Sequence, residues 1–166
     1  MRYALILCLL CSLCTSAQAR EALRAKANVA FFGIHLIDTS VQSAQSGGAA
    51  EQARIALLEA EVREQFQERG FVLMDLTPIE VDLNRIVNPA KCYGCDLRMG
   101  QKLGADYILL GEVQKVSNLI LSMNLVVKDP ENGTMLRGRS VDIRGNTDDS
   151  WLRGMRYLLK TEIFKE

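Results

Sequence analysis

Apolar positions change their spacing several times along this chain, and each change marks an element. Val29 to Ile37 (VAFFGIHLI) is rich in branched and aromatic residues and too short for a typical helix, so it predicts a strand, closed by Asp38-Thr39-Ser40. Gln42 to Gly48 is small and polar, and Gly47-Gly48 predicts a flexible loop tip. From Ala49 to Arg69 the spacing becomes helical. Ile55, Leu58, Val62 and Phe66 recur every three or four positions, which aligns one apolar stripe, and Gly70 stands where a left-handed cap is wanted. Phe71 to Met74 reads as a short strand. Asp75 to Ala90 is less regular and is punctuated by Thr77-Pro78 and Asn88-Pro89. There Ile79, Val81, Leu83 and Ile86 are expected to pin the segment to the core, with a helical turn around Val81 to Ile86.

A helix is predicted from about Asp96 to Leu103, ended by Gly104. Tyr107 to Gln114 then forms an apolar run of the kind buried on both faces of a sheet. Beyond it the period is two: Leu119, Leu121, Met123, Leu125 and Val127 share one face, and Ser122, Asn124 and Lys128 the other. Asp129-Pro130-Glu131-Asn132-Gly133 is a turn, because Asn-Gly supplies positive φ at little cost. Thr134 to Ile143 returns antiparallel. Arg137 and Arg139 interrupt its apolar face, which predicts a sheet edge where charge discourages further pairing. Thr147-Asp148-Asp149 caps a last helix through Ile163, with Trp151, Met155, Leu158, Leu159 and Ile163 inward. Right-handed crossovers make the first three strands parallel. The expected fold is α/β, in the order β-α-β-α-β-β-β-α, with a mixed five-stranded sheet of strand order 2-1-3-4-5.

The first 19 residues change what the composition means. Arg2, the apolar run Ala4 to Leu13 and Ala17-Gln18-Ala19 make a cleavable export signal, too short and too polar at its end for a comfortable membrane span. Cys8, Cys11 and Cys14 each follow leucine, which argues against acylation. A single domain at 20–166 is then expected in the periplasm, with no transmembrane segment after signal removal. Loss of Arg2 leaves 19 basic against 20 acidic residues, a balance that argues against nucleic-acid binding. The acidic run between Glu51 and Asp82 reads as a solvated helix face.

Cys92 and Cys95 are the cysteines that remain, in a compartment where thiols meet oxidants. Cys92-Tyr93-Gly94-Cys95 suits a structural disulfide. A thiol-disulfide redox pair and a soft-metal site with Met99 stay open as alternatives. Zinc would want more ligands than these two and the distant His35. His35 is placed on the alternation of Phe31 and Gly33, as a packed strand residue. Asp38, Thr39 and Ser40, beyond the carboxyl end of the first strand, form a possible ligand loop, although turn formation accounts for them too. Arg137, Arg139 and Arg144 form a possible basic strip for a partner. No phosphate loop, metal-binding His-Glu helix or Ser/His/Asp arrangement is present, and no cofactor is expected.

Leu103 to Val113 (LGADYILLGEV) resembles the signature of TolB N-terminal and CsgG-like domains. The ending Ser140 to Trp151 (SVDIRGNTDDSW), together with the Cys-x-x-Cys element, is similar to an uncharacterised family of secreted bacterial domains. The resemblance covers roughly residues 28–163 and implies a periplasmic, non-enzymatic α/β domain with no catalytic residues to carry over. The expected function is that of an accessory module acting through a periplasmic protein partner. A thiol-disulfide redox protein using Cys92 and Cys95, or a small-ligand or metal carrier, is the alternative.

Overall fold

The computed structural model describes residues 22–40 and 48–165. The expected export signal and most of the loop at 42–48 lie outside them. The elements run β1 (Asn28–Asp38), α1 (Ala49–Glu68), β2 (Val72–Leu73), α2 (Glu80–Asn84), α3 (Cys95–Leu103), β3 (Tyr107–Lys115), β4 (Leu121–Lys128), β5 (Met135–Ile143) and α4 (Asp148–Leu158). Short 3-10 turns at Thr77–Ile79 and Pro89–Lys91 flank α2, and a π-helical turn, Leu159–Ile163, prolongs α4. The sheet order is β2-β1-β3-β4-β5, with β1 parallel to β2 and β3 and the last three strands antiparallel. This is the architecture that the changes of period predict.

Each face of the sheet carries its own core. On one side the inward residues of β1, β3 and β4 pack on Ile55, Leu58, Val62 and Phe66 of α1 and on Trp151, Met155 and Leu158 of α4. On the other, Ala30, Phe32, Ile108 and Leu110 pack on Ile79 and Met99. Gly154 brings α4 onto β5: a Cβ there would stand 2.6 Å from Ile143 Cγ2.

Several details depart from the sequence reading. β2 is only two residues long, and β4 starts at Leu121; Leu119 is exposed in the hairpin loop, since the chain must turn before pairing resumes. The helical turn expected at 81–86 is α2, at Glu80–Asn84, and Val81 points outward, 64% exposed, whereas Ile79 is buried. Within the acidic run, Glu51 and Glu61 are buried.

The largest departure is in β1. Its register with β3 shifts between Phe31 and Ile34, and Gly33 has φ +86°, a left-handed value that suits glycine. The extra residue puts Ile34 into the core that holds Phe31. His35 therefore lies on the opposite face from Phe31, in a cross-sheet row with Glu112, Asn124 and Ser140. Glu59 of α1 closes the bulge by accepting the Ile34 amide at 2.9 Å, and Arg63 holds Glu59 at 3.1 Å.

Candidate functional site: an open edge strand and a buried ion cluster

Asp38, Thr39 and Ser40 end β1 beside the end of β3, and their polar groups are engaged internally. The Thr39 amide and hydroxyl both donate to the Lys115 carbonyl, at 2.9 and 3.1 Å. The Ser40 amide and hydroxyl donate to Asp38 Oδ1 at 2.9 and 2.6 Å. Lys115 Nζ donates to Asp38 Oδ2 at 3.3 Å and to Glu51 Oε1, in the first turn of α1, at 2.6 Å. Asn146 Nδ2 donates to the same Glu51 oxygen at 2.8 Å, while Asn146 Oδ1 accepts from Trp151 Nε1 at 3.1 Å and Arg54 Nη1 at 3.2 Å.

Each ion in this cluster has an opposite neighbour. The Lys115 ammonium bonded to Glu51 holds that carboxyl below its ordinary value, against burial and with help from Asn146. Burial pushes Asp38 up, but the Ser40 and Lys115 hydrogen bonds together outweigh it, and the carboxyl ends below its ordinary value. Burial likewise pushes Lys115 down, and its two carboxylates raise it above its ordinary value. The cluster joins the ends of β1 and β3 to α1 and to the turn before α4. Its groups are mutually satisfied, which suits a fixed brace better than an open ligand site.

The three arginines of the possible partner strip fall in different environments. Arg137 pairs with Val127 across the ladder and is buried, and its Nη1 donates to the Leu136 carbonyl at 2.9 Å. Arg139 keeps 65% of its side chain exposed, with Glu162 3.8 Å away. Arg144, just past β5, is exposed. It lines a groove of about 330 Å³ with Val141, Ile143, Arg153 and Tyr157. The groove lies against β5, the last strand of the sheet, with no described strand beyond it.

The Cys92 and Cys95 sulfurs are bonded, with Cα atoms 5.5 Å apart. Cys95 opens α3, and Tyr93 between them is fully exposed. Among the described residues no group of three or more His, Cys, Asp and Glu side chains could hold a metal ion.

Sequence reasoning missed Lys115, Glu51 and Asn146. Two signals were available: a lysine closing an otherwise buried strand, and Asn146 inside the motif SVDIRGNTDDSW, whose Trp151 donates to it.

Residues 27–163 match the family described as "Protein of unknown function (DUF2380)". The chain belongs to this family. No curated protein matches the sequence. Among solved structures, it is similar to a PelC dodecamer from Paraburkholderia phytofirmans (TM-score 0.50, 12% identity, covering 84% of this chain and 89% of that one). It is also similar to the lipoprotein GNA1162 from Neisseria meningitidis (TM-score 0.49, 19% identity, 74% and 83%) and to the LpoB C-terminal domain from Salmonella enterica (TM-score 0.46, 13% identity, 74% and 85%). At 12% identity the likeness to PelC is one of fold alone. A relation to TolB N-terminal and CsgG-like domains rests on the LGADYILLGEV motif alone.

Proposed function

We propose that this chain is a non-enzymatic accessory module of the periplasm that captures a partner protein by strand addition along β5. The carrying observation is the open edge of β5 beside a groove with an apolar wall, Val141 and Ile143, and a charged rim of Arg144, Asp142 and Arg153, the last paired with Asp149. An exposed edge supplies unpaired backbone groups for an added strand, and adjacent pockets supply selectivity. Arg139 and Arg144 favour an acidic partner segment and discourage self-pairing. The polar groups at the ends of β1 and β3 are tied up in the ion cluster, which weighs against a ligand carrier working there. The reading of residues 1–19 as an export signal supports a location outside the cytoplasm.

The test is site-specific photo-crosslinking in the native host. A photoreactive residue at Asp142, exposed on β5, should trap a discrete partner, and one at Leu57 on α1 should not. Crosslinks at Leu57 with none at Asp142 would move the contact away from β5.

A further inference from the structure

We infer that the surface built by α2, α3 and the disulfide loop docks on an anionic phospholipid bilayer. A cleft of about 410 Å³ opens between α2 and α3, with Ile86, Cys95 and Met99 at its floor and Arg85, Arg98 and Lys102 at its rim. Lys102 is neutralised by Asp82 at 2.9 Å. Among the described residues neither Arg85 nor Arg98 forms an ion pair, and both are exposed. Arg98, and Arg85 within electrostatic reach of the cleft residue Asp82, put two exposed guanidiniums at one apolar cleft, a donor set that suits a phosphate oxyanion, which Arg binds through paired donors.

Exposed apolar side chains neighbour the lining residues in sequence. Val81 is 64% exposed, Val87 83% and Tyr93 101%, and each lies within two positions of a residue lining the cleft. Tyr93 has φ +54° and Gly94 φ +86°, and the Cys92–Cys95 bond closes the loop that presents the phenol ring to solvent. Lys91 adds a further cation, half-shared with Glu112 at 3.5 Å.

The shape selects the occupant. These side chains project rather than line a hollow, so a protein partner would need matching holes for three separate knobs. A bilayer interface deforms around them and places a tyrosine ring at headgroup depth. Basic residues beside such projections add attraction to acidic headgroups that decays with salt. No helix among the described residues is long and apolar enough to cross a membrane, so the contact is peripheral.

The protein as purified from its native host is mixed with vesicles of phosphatidylcholine, with and without phosphatidylglycerol, and bound protein is read by flotation. Binding is expected to the phosphatidylglycerol vesicles only, and to fall as salt rises. Arg85→Glu with Arg98→Glu should cut it at least tenfold, as should Val87→Asp with Tyr93→Asp, with circular dichroism unchanged. The milder Arg85→Gln with Arg98→Gln keeps the test valid if a reversed pair unfolds. Arg139→Glu, on the β5 edge, should bind vesicles like the unmodified chain, which separates this surface from the partner edge. Equal binding to both vesicle types, no binding, or full binding by the arginine variants would overturn the inference. So would a polyglutamate peptide that binds in their place and loses affinity in the arginine variants, since the cleft would then serve a protein.

Discussion

Lys115 Nζ lies 2.6 Å from Glu51 Oε1, and the two side chains are 1% and 5% exposed. Removing one partner of such a pair leaves an uncompensated charge away from water, a loss of roughly 3–5 kcal/mol. Lys115→Met is therefore expected to destabilise the protein by about that amount, because Glu51 and Asp38 both lose their cation. Urea denaturation measures it. A loss under about 1 kcal/mol would mean that the cluster is solvated in solution.

The same cluster sets a pH window. Asp38 and Glu51 are held below their ordinary values of 3.8 and 4.5, so their stabilisation is present above those values and disappears as pH falls through the lower folded-state values. Lys115 is raised above 10.5, so its share is full below that pH and is lost as pH rises through the folded value. The thermal midpoint should be flat near neutrality and drop below about pH 4. In Lys115→Met the acid drop should shrink or reverse, since both carboxyls lose the cation that lowers them and protonation then relieves buried charge.

The strand order and both helical stripes were legible in the sequence because period and length carry them: Ile55, Leu58, Val62 and Phe66 can face inward together only on a helix. The buried ions were not. Glu51 looks like any acid on a solvated helix, and its burial depends on Lys115, 64 positions away, which no local pattern encodes. The phase of His35 was lost for a related reason. Gly33 marks a possible bulge, but the evidence that it is one is the register with β3 and the Glu59 carboxylate arriving from α1. Arg137 and Arg139 differ by two residues and share a sequence signature. Both point to the same face of β5, and one is buried while the other keeps most of its side chain in solvent.

Gly33 is the position where a methyl group should be most revealing. A Cβ there would stand 2.7 Å from Glu59 Oε1, at a φ that side chains rarely adopt. Gly33→Ala should cost roughly 1–3 kcal/mol by combining backbone strain with displacement of the carboxylate that holds the Ile34 amide. Glu59→Ala in the Gly33→Ala background should then cost less than it does alone, which a double-mutant cycle by chemical denaturation reads directly.

Reduction of Cys92–Cys95 should matter little for stability. The bond closes a loop of sequence separation 3, and so short a loop removes little chain entropy, on the order of 1–2 kcal/mol. The denaturation midpoint with and without reductant checks this. Free thiols detected in oxidised, folded protein would mean that the pair is not a standing disulfide.

Arg137 and Arg139 should separate folding from docking. Arg137 is buried against β4, so Arg137→Glu puts an unmatched carboxylate into that site and should lower stability by several kcal/mol, roughly the 3–5 of a broken buried pair. Arg139 is largely in water, and its contact with Glu162 is long, so Arg139→Glu should change stability by less than about 1 kcal/mol. Partner capture should respond in the opposite sense. With the fold intact, Arg139→Glu combined with Arg144→Glu should reduce crosslinking at Asp142 and flatten its salt dependence, because an acidic added strand would meet like charge. An undiminished crosslink in that double variant would mean that β5 is held by backbone pairing without help from its arginines. Loss of crosslinking in Arg139→Glu accompanied by unfolding would instead show that the rim ion pair with Glu162 is structural.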